Sequence, residues 1–180
     1  MHSFLQIRSA FFYSFQLQPN NDIVAVIGGA LVNELEEILE RSKYRYEIIH
    51  HQKPIHSRED GMNYFEIEAG QTAPTFILKT DKGYFVFIVS GKRDKLDLKK
   101  IAILLDCSKV KLASPKEVKT VTGFEVGSVP MVGLNLPCVL DKKLFKYDFV
   151  YGGTGKATCT LKIEPQALQE LNHVVAILES

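Results

Sequence analysis

The sequence predicts an α+β domain, with helices packed around one mixed, curled β-sheet. Three observations carry this. Strand-like runs and amphipathic segments follow one another without a strict βαβ alternation. Residues 84–90 (YFVFIVS) are apolar throughout, as a strand covered on both faces must be. At 180 residues and 46% hydrophobic content, the chain can bury one sizeable core.

Residues 1–30 open with an aromatic, apolar stretch that lacks a charged start and an A-x-A-like cleavage site. They read as an N-terminal extension, packed or partly mobile, ahead of a domain over 31–180. Gly28 and Gly29 follow an apolar run but lack the G-x-G-x-x-G spacing of a dinucleotide turn. Leu31, Leu35, Ile38 and Leu39 share one face of a helix over 31–42, with its glutamates outward. Residues 44–50 alternate and are rich in Tyr and Ile, which makes a strand. Ser57 caps a second helix, expected to run to Ala69 and stop at Gly70. Residues 74–80 and 84–90 flank Asp81-Lys82-Gly83 as a hairpin whose second arm is central to the sheet.

A helix follows over 96–106 and a short strand over 110–112. Ser114, Pro115 and Glu117 then supply the N-cap, the N1 proline and the capping-box acid of a brief helix. It runs into the glycine-rich loop 121–133 (VTGFEVGSVPMVG). Strands are expected over 136–140, 146–151 and 157–163, a helix over 165–171, and a last strand over 174–178.

The net charge of +1 excludes a strongly basic nucleic-acid binder, yet the charge is unevenly spread. Residues 1–78 carry 6 Lys/Arg against 10 Asp/Glu, and residues 79–180 carry 16 against 11. A basic C-terminal part suits a phosphate-bearing partner. Cys107, Cys138 and Cys159 are odd in number and widely spaced, which suits a reducing cytoplasm and small apolar roles rather than a disulfide frame. The longest apolar run, 23–32, is about half the roughly 20 residues that a membrane span needs. His50, His51 and His56 lack partners at ligand spacing, so no metal is expected, although His51 could stand near a pocket rim.

Gly152-Gly153-Thr154-Gly155-Lys156 imitates a P-loop, but Val150 replaces its first glycine and Ala157 its magnesium-binding hydroxyl. A hairpin turn is expected there. No G-x-S-x-G or Cys/His signature points to a nucleophile. The segment 92–100 (KRDKLDLKK) reads as a solvated helix start, with RNA backbone contact as its functional alternative.

Two features look chemical. The loop 121–133 either is a rigid turn or presents backbone N–H groups to a ligand, as anion-binding nests do. Lys79 shares a strand face with Thr75 and Ile77 and leads into a turn beside an apolar strand. Partial desolvation there would lower its pKa, or its ammonium would meet a phosphate or carbonyl; the alternative is a strand-end lysine in solvent.

In order and spacing, PTFILKT, DLKKIAILL, KLASPKEV, TGFEVGSVPMVG, LPCVLD and YGGTGKATCTL resemble the YbaK family, free-standing relatives of the prolyl-tRNA synthetase editing domain. The similarity runs from about Leu31 to Leu178. It implies a barrel-like sheet, hydrolysis of a wrongly attached small amino acid (Ala, Cys or Ser) from tRNA, and no metal or organic cofactor. Aminoacyl-tRNA would be the partner, with a synthetase as a further one, in the cytoplasm.

Lys79 matches the family's required lysine. The family's G-x-x-x-P loop maps to residues 127–131, where Met131 stands in place of the final proline and Pro130 comes one position early. The resemblance thus assigns substrate binding to Gly123, Gly127, Ser128, Val129, Pro130, Met131 and Gly133. The N–H groups of Gly127 to Val129 would serve the oxyanion, and Met131, Val132 and Leu134 would shape the pocket. The rival expectation is a domain of this fold that binds tRNA, another oligonucleotide or a synthetase without hydrolysis.

Overall fold

The computed structural model describes residues 15–17, 23–25, 30–55 and 57–179. Strands β1 (Phe15–Leu17) and β2 (Ile23–Ala25) pair antiparallel, and helix α1 (Ala30–Glu40) follows. Next come β3 (Tyr46–His50), α2 (Arg58–Phe65), and the hairpin β4 (Thr75–Thr80) and β5 (Gly83–Ile88). The middle of the chain forms α3 (Leu98–Leu104), β6 (Val110–Leu112), α4 (Pro115–Thr122) and β7 (Pro137–Asp141). The last elements are β8 (Val150–Gly153), β9 (Cys159–Ile163), α5 (Pro165–Leu171) and β10 (His173–Leu178).

The α+β class holds, but the curled, barrel-like sheet does not. Beside the β1–β2 ribbon, two larger open sheets form instead. One has five strands in the order β10-β7-β5-β4-β6, and the other has three in the order β3-β9-β8. The first is mixed, because β5–β7 and β7–β10 run parallel while β4–β5 and β4–β6 run antiparallel. Edges β6 and β10 do not pair with the edges of the second sheet, so no barrel closes. Among the described residues a single isolated bridge, Thr72 to Tyr151, links the approach to β4 with β8.

Both sheets bury side chains in one core: Ile77, Val86, Ile88 and Leu140 from the larger sheet meet Val150, Leu161 and Ile163 from the smaller. The opposite face of the larger sheet carries Leu78, Phe87, Val89 and Val139 against Ile101 of α3. Strand β5 therefore sends alternate side chains into two cores, which explains its unbroken apolar run and its central place.

Local boundaries follow local chemistry. Ser57 and Asp60 form a capping box on α2, and Ser114 with Glu117 forms another on α4. Helix α2 ends earlier than its pattern suggests, at Glu66 in the left-handed region (φ 53°). Gly70 has a different task, because a Cβ there would stand 1.9 Å from the Tyr147 hydroxyl oxygen. The strand expected over 146–151 begins only at Val150, since Lys142–Lys146 winds into a 3-10 turn capped by Asp141.

His56, Gly28-Gly29 and most of the N-terminal extension lie outside the described residues. Among the described residues no helix is long and apolar enough to cross a membrane, and no group of three His, Cys, Asp or Glu side chains is placed to hold a metal.

Candidate functional site

Where the smaller sheet, α2 and the lead into β4 meet, they leave an open cleft enclosing about 170 Å³. Phe65 and Ile67 come from α2 and its exit, Thr72, Ala73 and Pro74 from the segment before β4, and Tyr151 to Gly153 from β8. Cys159 and Thr160 of β9, with Lys156 and Ala157 of the preceding turn, form a further wall, and Gly127 is the point of contact with the glycine loop. The cations on the wall are Arg58 and Lys156, and no carboxylate side chain is among the described residues lining it.

The glycines of β8 make this arrangement possible. A Cβ on Gly153 would stand 2.2 Å from the Val129 carbonyl oxygen. One on Gly152 would stand 2.3 Å from Met131 Sδ and 2.6 Å from the Ala73 carbonyl oxygen. With no side chains in the way, the loop lies along the end of β8. The Met131 N–H donates to the Gly153 carbonyl (3.0 Å), and the Gly155 N–H donates to the Ser128 carbonyl (2.8 Å). Asn172 Nδ2 fastens the far side by donating to the Met131 carbonyl (3.0 Å). The 152–156 segment is thus the hairpin connection its sequence implied, and it is also a wall of the cleft.

The loop residues singled out in the sequence separate into several roles. Gly127 (φ 91°) lines the cleft, and its N–H has no acceptor among the described residues. The Ser128 N–H is taken by the Glu125 carbonyl (3.1 Å), so Gly127, Ser128 and Val129 do not offer three free donors. Val129 and Met131 are buried in the main core. Pro130, Val132 and Gly133 face a separate small hollow beside Leu35 and Ile38 of α1. Gly123 (φ 81°) closes the C-terminus of α4 in the left-handed conformation that glycine adopts without steric cost. Neither Met131 nor Val132 nor Leu134 shapes the cleft.

Lys79 does not reach the cleft either. Along an extended strand it lies roughly 16 Å beyond Pro74, at about 3.3 Å per residue. Its ammonium is ion-paired and hydrogen-bonded to Glu117 of α4, and the Tyr84 hydroxyl also donates to Glu117 Oε1 (3.3 Å). The carboxylate raises the Lys79 pKa, where desolvation alone would have lowered it. In return, Lys79 first, and then the Ser114 N–H and hydroxyl, hold Glu117 down at about 2.

Composition gave no hint of Arg58, Thr72, Thr160 or Tyr151 as wall residues. Lys156 was visible only as part of a failed P-loop. Cys159 Sγ stands 3.2 Å from His50 Nδ1, a pairing set by the β3–β9 register rather than by any sequence spacing. His51 does border the site: it is buried against the rings of Tyr64 and Phe65, at centroid distances of 5.6 and 6.5 Å.

Residues 52–171 match the family model described as the aminoacyl-tRNA editing domain. The proline–tRNA ligase of Caldicellulosiruptor saccharolyticus is 29% identical over 100 residues, which are 54% of this chain and 17% of the ligase. That of a Geobacillus species is 30% identical over 77 residues, 43% of this chain and 13% of the ligase. The chain thus spans less than a fifth of the length of these relatives. Among solved structures, a candidate trans-editing enzyme for prolyl-tRNA synthetase superposes with a TM-score of 0.71 at 26% identity, covering 83% of this chain and 96% of that one. The hypothetical protein APE2540 superposes with a TM-score of 0.73 at 26% identity, covering 80% and 97%.

Proposed function

Because the chain belongs to the aminoacyl-tRNA editing domain family, we propose that it is a trans-acting deacylase. It hydrolyses the ester of tRNA mischarged with a small amino acid such as Ala, Cys or Ser. The observation that carries this reading is the cleft of about 170 Å³ at which Gly127, Gly152 and Gly153 converge. It has room for a small aminoacyl group and backbone close enough to touch it.

An aminoacyl ester is already activated, so the protein need mainly orient a water and stabilise the developing oxyanion. The Gly127 N–H is the donor available for that oxyanion. Lys156 meets a phosphate of the tRNA 3′ end, whereas the Arg58 guanidinium is held by Glu59 (3.1 Å) and the Gly91 carbonyl. The chemistry needs no metal or organic cofactor. One methylene is worth only about 1–3 kcal/mol of discrimination, which is why a synthetase that misactivates small amino acids gains from a second site.

Lys79 then serves at a distance: its ion pair ties β4 to α4, and so holds the helix that delivers the glycine loop. Deacylation of Ala-, Cys- and Ser-tRNA by wild type, Lys156→Ala and Lys79→Ala tests this. Lys156→Ala is expected to lower kcat/KM at least tenfold and Lys79→Ala less than fivefold. Abolition by Lys79→Ala with little effect of Lys156→Ala would return the catalytic role to Lys79 and move the site.

The rival reading is a tRNA- or synthetase-binding module without catalysis. The pairing of Lys79 with Glu117 favours it, since a carboxylate of the protein already competes for this ammonium. Tight tRNA binding without cleavage of any of the three esters would decide for it.

A further inference from the structure

His51 Nδ1 lies 2.6 Å from the Lys53 carbonyl oxygen, and its Nε2 lies 3.2 Å from Thr160 Oγ1. A carbonyl oxygen can only accept, so Nδ1 carries the hydrogen. In the neutral ring Nε2 is then an acceptor, and the Thr160 hydroxyl donates to it. With its one proton committed, Thr160 Oγ1 has only lone pairs to offer the cleft it lines. Thr72, on the opposite wall, is committed in the same way: its hydroxyl donates to the Ala69 carbonyl (2.7 Å). Neither threonine in the cleft has a hydrogen to give a ligand.

The register places this polarity deliberately within the site. Thr160 stands opposite Ile49 on one side and Gly153 on the other, so Ile49, His51, Thr160 and Gly153 share one face of the smaller sheet. Thr160 lines the cleft together with Gly153, and the space beside Gly153 is taken by the Val129 carbonyl rather than by a side chain. Among the described residues no carboxylate lines the cleft, so a ligand cation has to find neutral oxygen.

We propose that Thr160, oriented by His51, is the acceptor for the free α-ammonium of an aminoacyl ester, which makes an unblocked amino group part of what the cleft recognises. This rests on the deacylase reading for the identity of the ligand. Thr160 is a binding residue in this scheme, and His51 is a positioning residue that sets the direction of its hydroxyl.

The test reads binding apart from cleavage. Titration calorimetry compares 3′-alanylamido-3′-deoxyadenosine, which cannot be hydrolysed as an ester, with its lactyl counterpart, in which a hydroxyl replaces the ammonium. Wild type is expected to bind the alanyl compound about tenfold more tightly. Thr160→Val should remove that preference by weakening the alanyl compound alone, Thr160→Ser should keep it, and His51→Leu should reduce it. A ratio of affinities is insensitive to a uniform loss of folded protein.

Equal affinities in wild type, no binding of either compound, or a preference that survives Thr160→Val would each overturn the proposal. Hydrolysis of Ala-tRNA is measured on the same preparations. If the alanyl preference stands while no ester is cleaved, the deacylase reading fails and the ammonium site remains. If esters are cleaved with no preference, the reverse holds.

Discussion

Glu117 joins two tasks in one side chain: its Oε2 accepts from the Ser114 backbone N–H and hydroxyl, and its Oε1 pairs with Lys79. Its folded pKa of about 2 lies below the ordinary 4.5, so it stabilises the fold fully above about pH 4.5. That contribution is lost as pH falls from there toward 2. Thermal melts of wild type and Glu117→Gln should therefore differ by a constant margin at neutral pH, and the margin should narrow as pH falls from 4.5 through 2. A gap as wide at pH 2 as at neutral pH would show that the ion pair is not its source. At this scale the sequence revealed the capping box, because its partners are three residues apart. It did not reveal the ion pair, because Lys79 and Glu117 are separated by 38 positions and brought together only by the packing of α4 against the hairpin.

Arg93 makes the same point about elements. In sequence it sits in a charged run expected to be solvated, yet its guanidinium forms a two-point bond to Asp141, 2.6 Å through Nε and 2.9 Å through Nη2. Asp141 is fully buried at the end of β7 and also accepts from the Ser90 and Lys143 N–H groups. Arg93→Ala would leave a buried carboxylate without its counter-ion, at a cost of about 3–5 kcal/mol measurable by urea unfolding. The junction of loop and β8 is a second element-scale test. Gly153→Ala forces a Cβ against the Val129 carbonyl, and backbone cannot give way as a flexible side chain can. Loss of deacylation with the far-UV spectrum retained is expected. Full activity would mean that the loop's seat on β8 is not needed. The helices and the hairpin were readable because each is specified by its own residues. The cleft was not, because its walls come from positions 55 to 160 and only sheet register brings them together.

For the molecule as a whole, the modest net charge conceals the basic C-terminal part, and Lys156 of that part stands at the cleft mouth. If it contacts a phosphate of the tRNA 3′ end, Lys156→Ala should reduce the slope of log K against log salt by roughly 0.7, the value for one single-strand contact. An unchanged slope would place the backbone contacts elsewhere. The family and the α+β class were legible in the order of motifs along the chain. Sheet closure was not, because strand patterns report which face is buried and carry no information on whether two edges meet.

The parallel strand β7 lies between β5 and β10, and β10 is the last strand in chain order. During synthesis the central hairpin and β7 therefore emerge well before the strand that covers the outer edge of β7. Until residues 173–178 clear the ribosome, that edge keeps its backbone donors and acceptors unpaired. A chain that lacks residues 173–178 would therefore present β7 as an open edge, free to pair with another strand.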